Sequence, residues 1–303
     1  MSFKPANKIQ DLQYFGEFGG VNPSISDSST YTFLKAKTMF DTFEGNTDGC
    51  YLYSRHTSPS NLFLAEALAA MENTEAANVS STGMGAITPT LLQLCGAGDH
   101  IVSSRTIYGG TYAFLKNFTP KFNINTTFTD ITKLDSVEAA ITETTKVLYC
   151  ETISNPLLEV ADIKGLSALA KKYNLTLVVD NTFSPLLISP KELGAEVVIH
   201  SLTKFIHGSS DTMGGVVCGS TEFINSLKSV NDGASMLLGT SMDSLRSSSI
   251  LKNMRTLHIR MKQHSKNAAF LAEHFEKDGL KTVYPGLDSH PSHELYKTMM
   301  NAD

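Results

Sequence analysis

The sequence of 303 residues lacks three features, and each absence argues against a class of protein. Its cysteines are widely spaced and form no Cys-x-x-Cys pair, which argues against a zinc site or a disulfide framework and favours a reducing compartment. No tract of five basic residues occurs and the net charge is −5, so we expect neither nucleic acid nor a membrane as a partner. No apolar run of 18 residues and no apolar leader segment is found. These absences favour a cytoplasmic protein.

Hydrophobic residues make up 41% of the chain, which is enough to bury a large core. From about residue 60, short apolar and β-branched runs alternate with segments rich in helix-forming residues. Predicted strands lie at 100–103, 125–130, 146–150, 175–180, 196–200 and 215–218, and predicted helices at 61–71, 86–94, 132–144 and 163–173. This alternation predicts an α/β fold with a mostly parallel sheet and helices on both faces.

The two ends of the chain differ from this central pattern. Residues 1–49 are polar, rich in Gly, Ser and Thr and without sustained periodicity, which predicts an extended arm that wraps around another body such as a second subunit. Residues 244–277 predict one long helix with a single buried apolar face. That face comprises Leu245, Leu251, Met254, Leu257, Met261, Ala268, Leu271 and Phe275. We therefore divide the chain into an arm (1–49), a ligand-binding domain (50–243) and the start of a C-terminal domain (244–303).

Three polar segments lie where ligands bind in such sheets, beyond the carboxyl ends of the strands. Asp180 ends one predicted strand, and Ser201–Lys204 directly follows the next. Ser80–Gly85 is a small, Gly-containing turn that enters a helix, where free N–H groups favour a phosphate. The turn matches neither Gly-x-Gly-x-x-Gly nor Gly-Lys-[Ser/Thr], so it is neither a dinucleotide nor a P-loop motif. Taken singly, each segment is more often a cap or a solvated surface.

Together the three segments match the needs of pyridoxal 5′-phosphate. Its phosphate binds at a helix N-terminus, its aldehyde binds a lysine as a Schiff base, and a carboxylate keeps its ring nitrogen protonated. The histidines are not spaced as metal ligands are, so no metal is expected.

The sequence also resembles the Cys/Met-metabolism (trans-sulfuration) family of pyridoxal-phosphate enzymes, which includes cystathionine γ-synthase, cystathionine γ-lyase, methionine γ-lyase and O-acetylhomoserine sulfhydrylase. Seven stretches occur in the family's order over roughly residues 45–295. They are Tyr53-Ser54-Arg55, Ser81–Gly85, Tyr108–Thr111, Glu151–Pro156, Val179–Thr182, Ser201–Lys204 and Tyr284–Leu287. The resemblance implies a fold type I large domain over residues 50–243.

The resemblance implies a role for each matched residue. Lys204 would bind the cofactor and shuttle protons, and Asp180 would pair with the ring nitrogen. Tyr108 would stack on the ring and act in proton transfer to the leaving group. Asn155 would contact the ring hydroxyl or the substrate carboxylate. The remaining residues would bind the phosphate: Gly83, Met84, Ser201 and Thr203 from the same chain, and Tyr53 and Arg55 from a neighbouring subunit. At least a homodimer, and by family resemblance a homotetramer, is therefore expected.

The implied activity is cleavage of a carbon–sulfur bond at the γ-carbon of cystathionine or methionine. Three motifs depart from the family pattern, at Ser58–Ser60, Gly208–Asp211 and Lys252–Leu257, and Gly110 stands where methionine γ-lyases often have Cys. These departures leave substrate preference open. The alternatives are a γ-replacement transferase, an aminotransferase of the same broad fold, and an oligomer that binds the cofactor but turns over poorly.

The C-terminal end prompts a last expectation. Family members continue into a full C-terminal domain, which supplies an arginine for the substrate carboxylate. This sequence stops soon after Tyr284–Leu287. We therefore expect either that the sequence is a fragment or that the residue that binds the substrate carboxylate comes from elsewhere.

Overall fold

Short runs of β-branched and apolar residues form most strands of a central mixed sheet, as the sequence predicts. A computed structural model describes residues 3–12, 19–44 and 50–301. Within these residues seven strands are found: β1 (Ala76–Ser80), β2 (His100–Ser104), β3 (Asn125–Thr129), β4 (Thr145–Glu151), β5 (Thr176–Asp180), β6 (Val197–Ser201) and β7 (Gly215–Gly219). Their order in the sheet is β1-β7-β6-β5-β4-β2-β3.

The sheet is mostly parallel, which confirms the predicted fold class. β2 pairs in parallel with β3 and β4, and β4 pairs in parallel with β5. Every residue of β2 and of β7 is buried, as expected for strands covered on both faces. The sequence prediction missed β1, which pairs antiparallel with β7. Its residues, Ala-Ala-Asn-Val-Ser, include only one β-branched residue and no continuous run of β-branched or apolar residues with high strand propensity.

Helices connect and cover these strands. They are α1 (Pro5–Asp11), α2 (Ala36–Phe43), α3 (Pro59–Glu72), α4 (Gly83–Leu94), α5 (Gly109–Ala113), α6 (Leu134–Ala139), α7 (Ile163–Tyr173), α8 (Thr221–Lys228), α9 (Ala234–Leu238), α10 (Ser244–Met254), α11 (Leu257–Lys277) and α12 (His293–Met299). A π-helical turn at 114–118 and a 3₁₀ turn at 119–122 follow α5. α3 shows why the ends fall where they do. Ser58 caps it by accepting the Asn61 N–H at 3.2 Å, and Asn73 ends it with a φ of 55°.

Two predictions about helices were wrong. The arm is not wholly extended, because α1 and α2 form within it; residues 1–2, 13–18 and 45–49 of the arm lie outside the described residues. The long helix over 244–277 is broken at Arg255 and Thr256 into α10 and α11.

The predicted apolar face of that helix is only partly buried. Met254, Leu257 and Met261 are buried, whereas the side chains of Leu245, Leu271 and Phe275 are 46–59% exposed. Periodicity identifies which side of a helix is apolar, but it does not identify what covers that side.

The described chain forms two compact units, each with its own core. The first unit combines residues 94–198 and 256–301 with a few N-terminal residues, and α7 packs on β4 and β5 within it. The second unit combines residues 7–93 and 199–255, and α3 contacts β1 and α10 there. In the described part of the chain, no helix is long and apolar enough to cross a membrane.

Candidate active site

In the second unit, the helix N-terminus expected to bind a phosphate lies against the end of β6. α4 begins at Gly83, and Thr82 Oγ1 accepts the Gly85 N–H at 2.8 Å. A Cβ placed on Gly83 would come within 2.9 Å of the Ser201 Cβ. Only glycine therefore allows this close approach, which brings the Ser201 hydroxyl beside the first amides of α4, those of Gly83 and Met84.

The segment after β6 is a tight turn that carries Thr203 and Lys204. The Thr203 hydroxyl donates to the Gly214 carbonyl at 3.3 Å and accepts the Gly214 N–H at 3.1 Å. It thereby fixes the turn to Gly214, the residue just before β7. The carbonyl of Lys204 accepts the Gly208 N–H at 2.8 Å, while its side chain is exposed.

A buried pair supports β6 immediately before Ser201. His200 donates from Nε2 to Glu72 Oε1 at 2.6 Å, and both side chains are 0–1% exposed. Because Glu72 is in the last turn of α3, the pair joins that helix to the strand that presents Ser201. Replacing either residue alone would lower the stability of the fold, because the other polar group would stay buried without its partner.

Tyr53 and Arg55 lie on the surface of the second unit. The Arg55 guanidinium donates to the Met236 carbonyl at 2.8 Å, and its carbon lies 5.5 Å from the centre of the Tyr53 ring. Both side chains are exposed, so each keeps surface available for a ligand outside its own unit.

In the first unit, the predicted Asp180 carboxylate lies beside a second one. Asp180 ends β5 and is 7% exposed; its Oδ1 accepts the Thr182 N–H at 2.9 Å. Glu151, the last residue of β4, is its register partner on the neighbouring strand and is also 7% exposed. Parallel pairing thus places two buried carboxyl groups side by side at the carboxyl ends of their strands.

Sequence reasoning assigned no role to Glu151, although it lies in a matched stretch. Glu151 Oε1 accepts the Tyr108 N–H at 2.6 Å, and Oε2 accepts the Asn155 N–H at 2.9 Å. One side chain therefore links Asp180, Tyr108 and Asn155, three residues that the sequence predicts for the site. The signal that could have revealed it is a carboxylate at a strand end, the same signal that identified Asp180.

Tyr108 and Asn155 present their side chains to solvent. The Tyr108 ring is 49% exposed, and two glycines follow it, of which Gly109 has nothing within 4 Å of a placed Cβ. Asn155 is exposed as well. An exposed ring beside open space can stack on a flat ligand.

Burial, and then the charge of Asp180, raises the pKa of Glu151 to about 7, while the two amide donors oppose this rise. The carboxyl pair is therefore placed to change its charge near neutral pH. By contrast, burial raises the pKa of the Cys150 and Cys218 thiols, so neither is a reactive thiolate.

The residues present fit pyridoxal phosphate. In the second unit the amides at the start of α4 and the Ser201 hydroxyl can bind a phosphate, and Lys204 presents an exposed amine. In the first unit the buried carboxyl pair provides negative charge that a protonated ring nitrogen would offset, and Tyr108 provides an open aromatic face. Among the described residues, no group of three or more His, Cys, Asp or Glu side chains could hold a metal ion.

Comparisons with known proteins agree with this chemistry. The model of the family described as Cys/Met metabolism PLP-dependent enzyme matches residues 7–303. A methionine gamma-lyase of Arabidopsis thaliana is 44% identical over 305 residues, covering 99% of this chain and 69% of that protein. An O-succinylhomoserine sulfhydrylase of Pseudomonas aeruginosa is 38% identical, covering 92% of this chain and 68% of that protein.

A solved structure extends the similarity to the fold. The O-acetylhomoserine (thiol)-lyase of Campylobacter jejuni superposes with a TM-score of 0.90 at 26% identity, covering 99% of this chain and 82% of that one. That structure contains N′-pyridoxyl-lysine-5′-monophosphate.

The carboxyl pair predicts a pH dependence of stability. Glu151 has a higher pKa in the folded chain than the value of 4.5 expected when unfolded, so the folded chain binds its proton more tightly. Its contribution is fully present below pH 4.5 and is lost as the pH rises through about 7. The free energy of unfolding of the wild type should therefore fall by up to about 3 kcal/mol as the pH rises across this window. We expect this fall to be absent in Glu151→Gln, which has no carboxyl group at this position.

Urea unfolding of the cofactor-free protein at several pH values measures this effect. Glu196→Gln is a matched control, because Glu196 also accepts a backbone N–H, that of Leu177 at 2.8 Å, at the opposite end of β5. A decline of the same size in wild type and Glu151→Gln would contradict the assignment.

Proposed function

The chain belongs to the Cys/Met metabolism PLP-dependent enzyme family, and from that premise we propose that it cleaves the carbon–sulfur bond at the γ-carbon of methionine or cystathionine. The observation that carries the proposal is the buried pair of Asp180 and Glu151, because two neighbouring carboxyl groups at strand ends favour a protonated ring nitrogen beside them. The choice of γ-elimination is supported by the 44% identity to a methionine gamma-lyase.

Each residue then has a defined task. When bound, pyridoxal phosphate supplies an electron sink that stabilises negative charge on the substrate. The carboxylate of Asp180 keeps its ring nitrogen protonated, which preserves that capacity. The amides of Gly83 and Met84 and the hydroxyls of Ser201 and Thr203 bind the phosphate.

Proton transfer is assigned to two residues. Lys204 Nζ, on the turn after β6, removes the proton from the substrate α-carbon. A second proton then leaves the β-carbon, so that a carbon–carbon double bond forms as the bond from the γ-carbon to sulfur breaks. The Tyr108 hydroxyl donates a proton to the departing sulfur, which leaves as a thiol. Water then completes the conversion of the remaining carbon skeleton to 2-oxobutanoate and ammonia. Asn155 contacts the ring hydroxyl or the substrate carboxylate.

A second activity, γ-replacement, is supported by the 38% identity to an O-succinylhomoserine sulfhydrylase. In that reaction the same α-proton is removed, but a thiol adds at the γ-carbon after the acyloxy group has left as a carboxylate. The two activities would use every residue named above, so these residues do not distinguish elimination from replacement.

We also propose that the site is completed by a second copy of the chain. Tyr53 and Arg55 are exposed on the second unit, with the guanidinium held by the Met236 carbonyl, and in the proposal they reach the phosphate of the neighbouring subunit. A homodimer is then the smallest active form, and a homotetramer is the form that the family resemblance favours. The division into an arm (1–49), a cofactor domain (50–243) and a C-terminal segment (244–303) stays a prediction, as does the cytoplasmic location.

The reaction is tested by incubating the purified protein and pyridoxal phosphate with methionine, cystathionine and O-acetylhomoserine. We expect 2-oxobutanoate from the first two, and a fall of at least about 10²–10⁴-fold in Lys204→Ala, because the α-proton then has no base. Lys171→Ala, a surface lysine on α7, is the control and should be unaffected. Product only from O-acetylhomoserine plus a thiol would favour replacement, and no product would refute both.

Shared sites are tested by making hybrid dimers. Lys204→Ala and Arg55→Ala chains carrying different tags are co-expressed and the mixed dimer is purified. Each variant alone should be nearly inactive, whereas the mixed dimer should regain about half of the wild-type activity, because one of its two sites is intact. The same variants mixed after purification serve as the control. A mixed dimer no more active than the mean of its parents would contradict a shared site.

A further inference from the structure

We infer that Glu151 is a positioning residue that holds the Tyr108 and Asn155 segments with one carboxylate and releases a proton when a cation binds at Asp180. The inference rests on the proposed function for the identity of that cation. It concerns the first unit alone, where all four residues lie.

The geometry of the carboxylate is the first argument. Its two oxygens are used separately, one by the Tyr108 N–H and the other by the Asn155 N–H. These amides belong to the segments that follow β2 and β4, which are far apart in sequence from each other. Hydrogen bonds to an ionised acceptor are about twice as strong as neutral ones. The ionised form of Glu151 therefore links two segments that no strand pairing joins.

The exposure of the two side chains is the second argument. Because the Tyr108 ring is 49% exposed and Asn155 is exposed, packing does little to fix either one. Their position depends on the backbone from which they project. For Tyr108, that backbone is held by the bond to Glu151 and by its own carbonyl, which accepts the Tyr112 N–H at 2.9 Å.

The neighbouring carboxylate is the third argument. Glu151 and Asp180 are register partners, both buried, so ionising one opposes ionising the other. After burial, the charge of Asp180 on β5 is what raises the pKa of Glu151. Burial raises the pKa of the Tyr149 hydroxyl and of the Cys150 thiol on the same strand, so both stay neutral. Asp180 is thus the charge that matters.

A cation placed against Asp180 would offset its charge and favour the ionised form of Glu151. Because the pKa of Glu151 is about 7 without that cation, about half of the molecules would lose a proton from it at neutral pH. Ionised Glu151 then accepts both amides more strongly. Binding at Asp180 would in this way tighten the segments that carry Tyr108 and Asn155.

Amide hydrogen exchange tests the positioning role without any turnover. In Glu151→Gln, the side-chain NH₂ must face one of the two N–H donors, so at least one bond is lost. We expect the Tyr108 or the Asn155 amide to exchange about tenfold faster than in wild type. Glu196→Gln, the same substitution at another backbone acceptor, should leave both amides unchanged.

Should Glu151→Gln not fold, Glu151→Asp serves instead. It keeps the charge but is one methylene shorter, so it cannot reach both amides, and the same faster exchange is expected. Unchanged exchange at both amides in the folded variant would overturn the positioning role.

Calorimetry tests the proton release. Pyridoxal phosphate is titrated into wild type and Glu151→Gln at pH 7 in buffers with different ionisation enthalpies, which gives the number of protons released. Wild type should release about half a proton more than the variant. Equal release would overturn the coupling to Asp180. If wild type binds no cofactor, the proposed function fails, whereas amide exchange still decides the positioning role.

Discussion

The two carboxyl groups at the ends of β4 and β5 are the constraint on which the first unit's part of the site depends. Parallel register pairing places Glu151 and Asp180 side by side, and the surrounding apolar strands exclude water from both. Burying two acids together is unfavourable unless donors or a cation compensate. The amides of Tyr108, Asn155 and Thr182 compensate in part, and in doing so they fix the backbone of the segments around the site.

In the second unit, the part of the site that can bind a phosphate depends on the start of helix α4 lying close to the end of strand β6. Gly83 allows α4 to begin against Ser201, and a buried His200–Glu72 bond anchors the strand that presents Ser201. The Thr203 hydroxyl forms hydrogen bonds with the backbone of Gly214 and so holds the turn that follows this strand. Lys204 follows this strand on the same turn and has an exposed side chain, which suits a residue assigned to proton transfer.

Sequence alone predicted the strands best where apolar runs were longest, as in β4 and β5. It selected Asp180 and Lys204 as site candidates because one ends a strand and the other follows one. It missed β1, whose Asn78 interrupts the apolar pattern, and it placed one helix where Arg255 and Thr256 separate α10 from α11. No role for Glu151 was predicted, because Glu151 acts through hydrogen bonds to the amides of Tyr108, which is distant in sequence, and of Asn155. Hydrophobic patterning carries no information on such contacts.

The proposed chemistry depends most on Lys204 being the residue that binds pyridoxal phosphate. Reduction of the cofactor-loaded protein with borohydride, followed by peptide mass spectrometry, locates the modified lysine directly. We expect a reduced pyridoxyl-phosphate adduct on the peptide that contains Lys204, at close to one adduct per chain. An adduct on a different lysine, or none after loading, would contradict it.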